Sequence, residues 1–510
     1  MINKAKKAIR TRLGRYRRQQ FVKYYETMKL DENAVLLEAR NGKEIDGNIY
    51  YIARELLANP AYSHLKIYVT AESKTQPTIE RKIKSIISEI AAGPADPSRI
   101  HTVLIGSTDY YKTIATCKYI ACDATLKNFF IKREGQVYLN VWHGTPFKVM
   151  GRKVAGEPHM VGNAQKNFTI ADYLLYPNDY MMNHMIEDYM IANTSKATII
   201  MGGYPRNTAF FDKAKAAEIR KTQSIEDKRV FVYMPTYRHS LSGQALKDVL
   251  AEMDRNLNED EIMFAKVHPL AADKVDYSDY SKIRKFPTEY ETYEFLNTAD
   301  CLITDYSSVF YDFAVTGKKI VLYTYDEEEY LETRGLYEPM STLPFPQVKT
   351  VEETLAEART EKNYDDSEFI NKYCSYESPA ATEVLCDVFI NGPAAGPDGL
   401  TTKSIELRQM PANGRPNAMV YTDNLKPGKK TDELMQFLAE ADQEEYNWFL
   451  SFQKDAVEPD KEMLFKLPGG IDYFGKAGRP YEISDKEKFT RIDNLRCYGG
   501  MEIDKYIRWQ

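Results

Sequence analysis

The sequence predicts an α/β protein: two successive doubly wound domains followed by a small α/β appendage. Three observations carry this. At 510 residues the chain exceeds what one hydrophobic core organises, so two or three domains are expected. Short apolar, strand-like runs alternate with segments of helical periodicity, the pattern of a parallel sheet covered on both faces. That alternation runs through residues 34–200 and starts afresh at Thr198.

Composition narrows the class. Hydrophobic content of 43% and charged content of 28% are those of a folded chain. No run has the length and apolarity of a membrane span, and the mean hydropathy is −0.51. The basic first residues lead into no apolar core, so no secretory signal is read there. A net charge of −6 argues against general nucleic-acid binding. The six cysteines (117, 122, 301, 374, 386 and 497) are scattered. Cys117 and Cys122 lie close together, but no second pair or nearby histidine completes a zinc pattern. Reduced core thiols in the cytoplasm are expected.

In chain order, residues 1–25 are read as a basic amphipathic helix. Lys4, Lys6, Lys7, Arg10, Arg12, Arg15, Arg17, Arg18 and Lys23 occur there without an acid, and Ile2, Ala5, Ile9, Leu13 and Tyr16 form one apolar stripe. Such a helix suits an anionic bilayer surface. Residues 26–197 form the first domain, with strands at Ala34–Glu38, Lys66–Thr70, Thr102–Gly106, Tyr119–Cys122 and Val137–Trp142, and helices over 44–57 and 78–91. Asn41-Gly42 and Asp46-Gly47 make a polar loop after the first strand, and Met150–Asn167 reads as a mobile loop. Residues 198–390 form the second domain, with strands at Thr198–Met201, Val230–Met234, Ile262–Val267, Lys282–Phe286, Cys301–Thr304 and Ile320–Tyr323. Residues 391–399, Asn-Gly-Pro-Ala-Ala-Gly-Pro-Asp-Gly, are a linker by composition. Residues 400–510 are the appendage, with no chemistry of their own; their acidic 440–445 stretch reads as a solvated helix face.

Two stretches point to chemistry. Cys301–Thr304 is strand-like, Asp305 and Tyr306 turn the chain, and Val309, Phe310, Phe313 and Ala314 follow at helical spacing to a stop at Gly317. Ser307 or Ser308 suits the N-cap, and a helix start bearing hydroxyls is also a seat for phosphate. Earlier, His143-Gly-Thr-Pro-Phe-Lys follows a strand, where α/β proteins place chemistry. No Gly-x-Gly-x-x-Gly follows a strand and no Gly-x-x-x-x-Gly-Lys-Ser/Thr occurs, so a dinucleotide cofactor is not expected.

Five motifs occur in order: Trp-His-Gly-Thr-Pro-Phe-Lys (142–148), Gly-Tyr-Pro-Arg-Asn (203–207), Met-Pro-Thr-Tyr-Arg (234–238), Lys-Val-His-Pro (266–269) and Thr-Asp-Tyr-Ser-Ser-Val-Phe-Tyr-Asp-Phe (304–313). Together they resemble the CDP-glycerol glycerophosphotransferase family of wall teichoic acid and capsule synthesis. Phe147 stands where that family usually has Leu, and Tyr237 where it often has Trp.

The resemblance implies two Rossmann-like domains in the glycosyltransferase B arrangement, the second holding the nucleotide. It implies transfer of glycerol phosphate from CDP-glycerol to a hydroxyl of a lipid-linked glycan acceptor, at the cytoplasmic face of the membrane. His143 is then the base, a role that histidine's unperturbed pKa, near neutrality, suits, and His268 steadies the departing CMP. Gly144, Thr145, Arg206, Thr236, Arg238, Lys266, Asp305, Ser307, Ser308 and Asp312 are expected around the substrates. Guanidinium forks match phosphate oxygens, and Lys266 points the same way as His268 off a strand. Asp312 would orient a hydroxyl, a histidine or an arginine, and the sequence leaves all three open. There is no close carboxylate pair at metal spacing, so metal-independent catalysis without a cofactor is expected, with histidine, arginines and helix start supplying positive charge. The motifs fit a ribitol-phosphate transferase using CDP-ribitol equally, and the architecture also suits nucleotide-sugar transferases. Self-association is left open.

Overall fold

In the computed structural model the described residues are 2–90, 96–238, 241, 243–267, 275–333, 335–393 and 405–476, with backbone alone for 2–12, 15 and 333. Two parallel sheets dominate. The strands of the first part are β1 (Asp31–Glu38), β2 (Lys66–Ala71), β3 (Ile100–Leu104), β4 (Cys117–Cys122), β5 (Val137–Asn140), β6 (Tyr173–Tyr176) and β7 (Thr198–Gly202). The second part contributes β8 (Arg229–Met234), β9 (Glu261–Ala265), β10 (Ile283–Lys285), β11 (Cys301–Thr304), β12 (Lys319–Tyr323) and β13 (Gln347–Val348). Beyond residue 404 come β14 (Ile405–Gln409), β15 (Asn417–Thr422), β16 (Asn447–Gln453) and β17 (Asp472–Lys476).

The larger sheet has eight strands in the order β14-β7-β6-β5-β4-β1-β2-β3, and the second has six in the order β10-β9-β8-β11-β12-β13. The central strands are buried on both faces, as β11 and β12 are along their whole length, which is why they read as continuous apolar runs rather than alternating ones. Leu36, Leu37, Ile120 and Leu139 centre the first core, while Val232, Phe264, Leu302 and Leu322 lie in the second.

The structure moves three boundaries. Thr198–Gly202, expected to open the second domain, is β7 of the first sheet. It runs parallel to β6, and its other edge is covered by antiparallel β14. The helix Ala381–Asn391 leaves the second half and buries Val384, Leu385, Val388 and Phe389 in the first core. Its apolar face fits the surface of helix Asn48–Ala58, which sequence order could not reveal. The appendage is not separate either: β14 completes the first sheet, and β15, β16 and β17 form a small parallel sheet. Most of the expected linker lies outside the described residues.

Met150–Asn167, expected to be mobile, is pinned. It forms two short 3-10 turns and the helix Gly162–Ile170. Lys153 pairs with buried Asp188 at 2.9 Å and Arg152 with Asp472 of β17 at 2.8 Å, while Gln165 donates to the Tyr473 carbonyl at 2.8 Å. The N-terminal helix spans Ile2–Thr27. Phe21 and Val22 near its end are buried in the first core, whereas Leu13 and Tyr16 are exposed at 45% and 57%. The helix is therefore packed at its C-terminal end, while Leu13 and Tyr16 of the apolar stripe face outward. Cys117, Cys122, Cys301, Cys374 and Cys386 are buried and unpaired.

The two halves are joined by directed bonds. Glu291 accepts from the Gly47 amide and the Tyr51 hydroxyl, each at 2.9 Å, and Arg54 pairs with Glu294 at 3.1 Å. Beside the His143 segment, Val149 donates to the Gly335 carbonyl at 3.0 Å and Tyr337 to that of Phe147 at 3.1 Å.

Candidate active site

Between the sheets lies a cleft of about 630 Å³. Its lining comes from segments that follow β1, β5, β9 and β11, the carboxyl ends where α/β sheets bind ligands. His143 enters it on a strained turn. Trp142 has φ +45°, a left-handed backbone that bulky residues rarely hold. Two asparagines maintain it: Asn140 Oδ1 accepts the Trp142 amide at 3.1 Å, and Asn48 Nδ2 donates to the Trp142 carbonyl at 3.2 Å. The indole then stacks on the imidazole, with ring centres 4.3 Å apart.

His143 Nδ1 lies 2.8 Å from the backbone oxygen of Asp123. A carbonyl only accepts, so Nδ1 carries the proton and Nε2 keeps its lone pair. Burial, with Arg40 and Arg206 nearby, pushes the imidazole pKa down to about 3, so the ring is neutral near pH 7. Beneath it, burial raises Asp123 and Glu38 to about 7.

Arg206 explains Gly-Tyr-Pro-Arg-Asn. It is 4% exposed and lies between the rings of Tyr204 and Tyr293. Nη1 donates to the His143 carbonyl at 2.8 Å, while Nε and Nη2 grip Asp312 at 2.8–3.2 Å. Of the three partners left open for Asp312, the structure gives two: the arginine, and at 3.3 Å the Tyr293 hydroxyl, which donates to it. Gly144, at φ +148°, lets these pieces meet: a Cβ there would lie 3.3 Å from Arg206 Nη2 and 3.4 Å from Ser308 Oγ.

Other expected site residues divide. Lys266, Ser307 and Ser308 line the cleft. Lys266 bonds Thr292, lies over the Phe286 ring, and has its pKa lowered by burial. Ser308 occupies the N-cap position but makes no capping bond; the helix Val309–Phe313 is a single turn, ending through a 3-10 turn at Gly317, φ +68°. The hydroxyls thus remain available, and the seat is weaker than a long helix would supply. Thr145, Thr236, Arg238 and Asp305 are not among the lining residues. Thr145 accepts from Asn178 at 3.0 Å. Asp305 accepts the Thr236 amide at 2.8 Å and receives Arg238, which also grips Asp326. These residues fasten the turns after β8 and β11 together. His268 lies outside the described residues. Among the described residues no group of three His, Cys, Asp or Glu is placed to hold a metal, and no helix is long and apolar enough to cross a membrane.

Sequence reasoning missed Asp123, Asn48 and Arg40. Asp123 meets His143 through its main chain, which carries no side-chain signal. Arg40 sits beside the Asn41-Gly42 turn of the polar loop after β1, in no motif.

The family described as CDP-glycerol:poly(glycerophosphate) glycerophosphotransferase matches residues 20–391. A teichoic acid poly(glycerol phosphate) polymerase of Bacillus spizizenii W23 is 27% identical over 373 residues, 68% of this chain and 89% of the relative. The poly(glycerol phosphate) polymerase of Bacillus subtilis 168 is 27% identical over 70% of this chain, which spans 48% of that longer protein. The solved wall teichoic acid polymerase TagF shares the fold, with a TM-score of 0.63 at 20% identity, covering 77% of this chain and 98% of that one.

Proposed function

This chain belongs to the CDP-glycerol:poly(glycerophosphate) glycerophosphotransferase family, and on that premise we propose how its cleft works. The two sheets form the two halves of a glycosyltransferase B arrangement, the second holding CDP-glycerol. The acceptor is a hydroxyl of a lipid-linked teichoic acid or capsule precursor. His143 Nε2 takes the hydroxyl proton, and the freed oxygen attacks the glycerol-bearing phosphorus. The bond to the bridging pyrophosphate oxygen breaks, and CMP leaves with that electron pair. Ser307, Ser308 and Lys266 contact the donor phosphates, and His268 serves the leaving group as the resemblance implies. No step is assigned to a metal.

The observation that carries this is the His143 tautomer. Its Nδ1–H is committed to the Asp123 carbonyl, and Nε2 is an unprotonated acceptor on a ring lining the cleft. Glycerol is preferred to ribitol because poly(glycerol phosphate) polymerases align more strongly than ribitol-phosphate ones. The deciding experiment incubates full-length protein with CDP-glycerol or CDP-ribitol and a lipid-linked disaccharide, reading products by mass spectrometry. Glycerol phosphate added with CMP released is expected; consumption of CDP-ribitol alone would reverse the donor assignment.

We also propose that the outer half of helix Ile2–Thr27 contacts an anionic membrane. The support is its basic composition and the exposure of Leu13 and Tyr16. Because Phe21 and Val22 are buried, the informative deletion removes residues 1–16 and leaves the packed end of the helix in place. It should reduce co-sedimentation with anionic liposomes in a salt-sensitive way, each lost basic residue contributing about 1 kcal/mol. Equal binding by both forms would leave the helix as packing alone.

A further inference from the structure

The motif arginines are already engaged. Arg206 is spent on Asp312 and the His143 carbonyl, and Arg238 on Asp305 and Asp326. Arg40, which no motif contains, lines the cleft with His143 and Asp123. Its side chain is 49% exposed, and Glu44, its ion-pair partner among the described residues, stands off at 3.5 Å.

The backbone beneath Arg40 is built to hold it there. Arg40, Asn41 and Gly42 have φ of +46°, +58° and +77°, three left-handed residues in succession. Such conformations persist only where surroundings over-determine them, and they cluster at ligand-facing sites. Here the Arg40 amide donates to Asp123 Oδ1 at 2.8 Å, and Asn41 Oδ1 accepts from Lys127 at 3.3 Å. The Gly42 carbonyl receives the Glu72 amide at 2.8 Å and the Thr75 hydroxyl at 2.7 Å. A Cβ on Gly42 would meet Ile105 Cδ1 at 2.6 Å. The same Asp123 therefore holds Arg40 by its carboxyl group and His143 by its main chain, so the guanidinium and the imidazole are registered to each other. The charge of Arg40 also reaches the ring: after burial, it is the largest influence keeping His143 neutral.

We propose that Arg40 is the phosphate ligand supplied by the eight-stranded half, its guanidinium contacting the non-bridging oxygens of the phosphoryl group as it is transferred. The inference rests on the transferase reading above. Charge on those oxygens is what fixed donors stabilise during phosphoryl transfer, and a guanidinium supplies two parallel donors to one phosphate.

The test is Arg40→Gly in the full-length protein. Glycine favours the positive φ found here, so thermal stability should be unchanged while the guanidinium is lost. Arg40→Asn, another residue tolerant of this region, is the second variant. With CDP-glycerol and a soluble acceptor analogue, kcat should fall about 100-fold while the donor KM moves less than about threefold. Variants that turn over within threefold of wild type overturn the assignment. So does a loss confined to the acceptor KM, which would move Arg40 to the acceptor's own phosphate. A wild-type protein that releases no CMP from CDP-glycerol overturns the transferase reading first, and the role of Arg40 with it.

Discussion

The two walls of the cleft handle their charged residues in opposite ways. On the eight-stranded side, strain is in the backbone, at Arg40–Gly42 and Trp142, and the side chains of Arg40 and His143 face the cavity with unspent hydrogen-bonding capacity. On the six-stranded side, Asp305, Arg238 and Asp312 lie buried in ion pairs, and Asp312 reaches across to Arg206 of the first half. On the proposed reading, one wall acts and the other largely holds, with Ser307, Ser308 and Lys266 as the exceptions. A motif residue is therefore not by default a substrate contact. Arg206 bonds the His143 carbonyl and Asp312 holds Arg206, so both motif residues fix where the His143 turn sits.

The largest effect that sharpens this contrast belongs to His143→Ala. Losing the base should lower transfer by about 10²–10⁴ with donor binding and melting temperature retained. If donor binding disappears instead, His143 is a donor ligand. The wild-type acid limb of kcat/KM is a companion measurement. Burial holds the imidazole near pKa 3, and a base must be unprotonated, so no limb should appear near pH 6.5.

Asp312→Ala comes next. It strands Arg206 in a 4%-exposed site, which should cost about 3–5 kcal/mol of stability, seen as a lowered denaturant midpoint. A stable variant with weakened donor affinity would put Asp312 among the acting residues and break the comparison.

The smallest effect is Ser307→Ala with Ser308→Ala. Since Ser308 makes no capping bond, the melting temperature should hardly move. Donor affinity should weaken by roughly 1.5–3 kcal/mol, the worth of hydrogen bonds to a charged group. Calorimetric titration with CDP-glycerol distinguishes this from the reverse pattern, which would make the serines structural.

What the sequence determined by itself is local. Strand positions, the stop at Gly317 and the placing of His143 after a strand follow from apolar runs, glycine and turn chemistry, all set within a few residues. The five motifs likewise carry the family, because their residue types and order are a property of the chain alone. What the tertiary structure decided is pairing. Thr198–Gly202 reads as an apolar strand under either assignment, and only burial against β6 and β14 places it in the first sheet. Helix Ala381–Asn391 returns to a surface far away in sequence. Arg206 could serve phosphate or carboxylate, and 106 residues separate it from the Asp312 that claims it. The strain at Trp142 and Arg40 is held by Asn48, Asn140 and Asp123, contacts that periodicity does not encode. Hydrogen-bond valence is spent in three dimensions, so which polar residues remain free to act is settled only when the chain has folded.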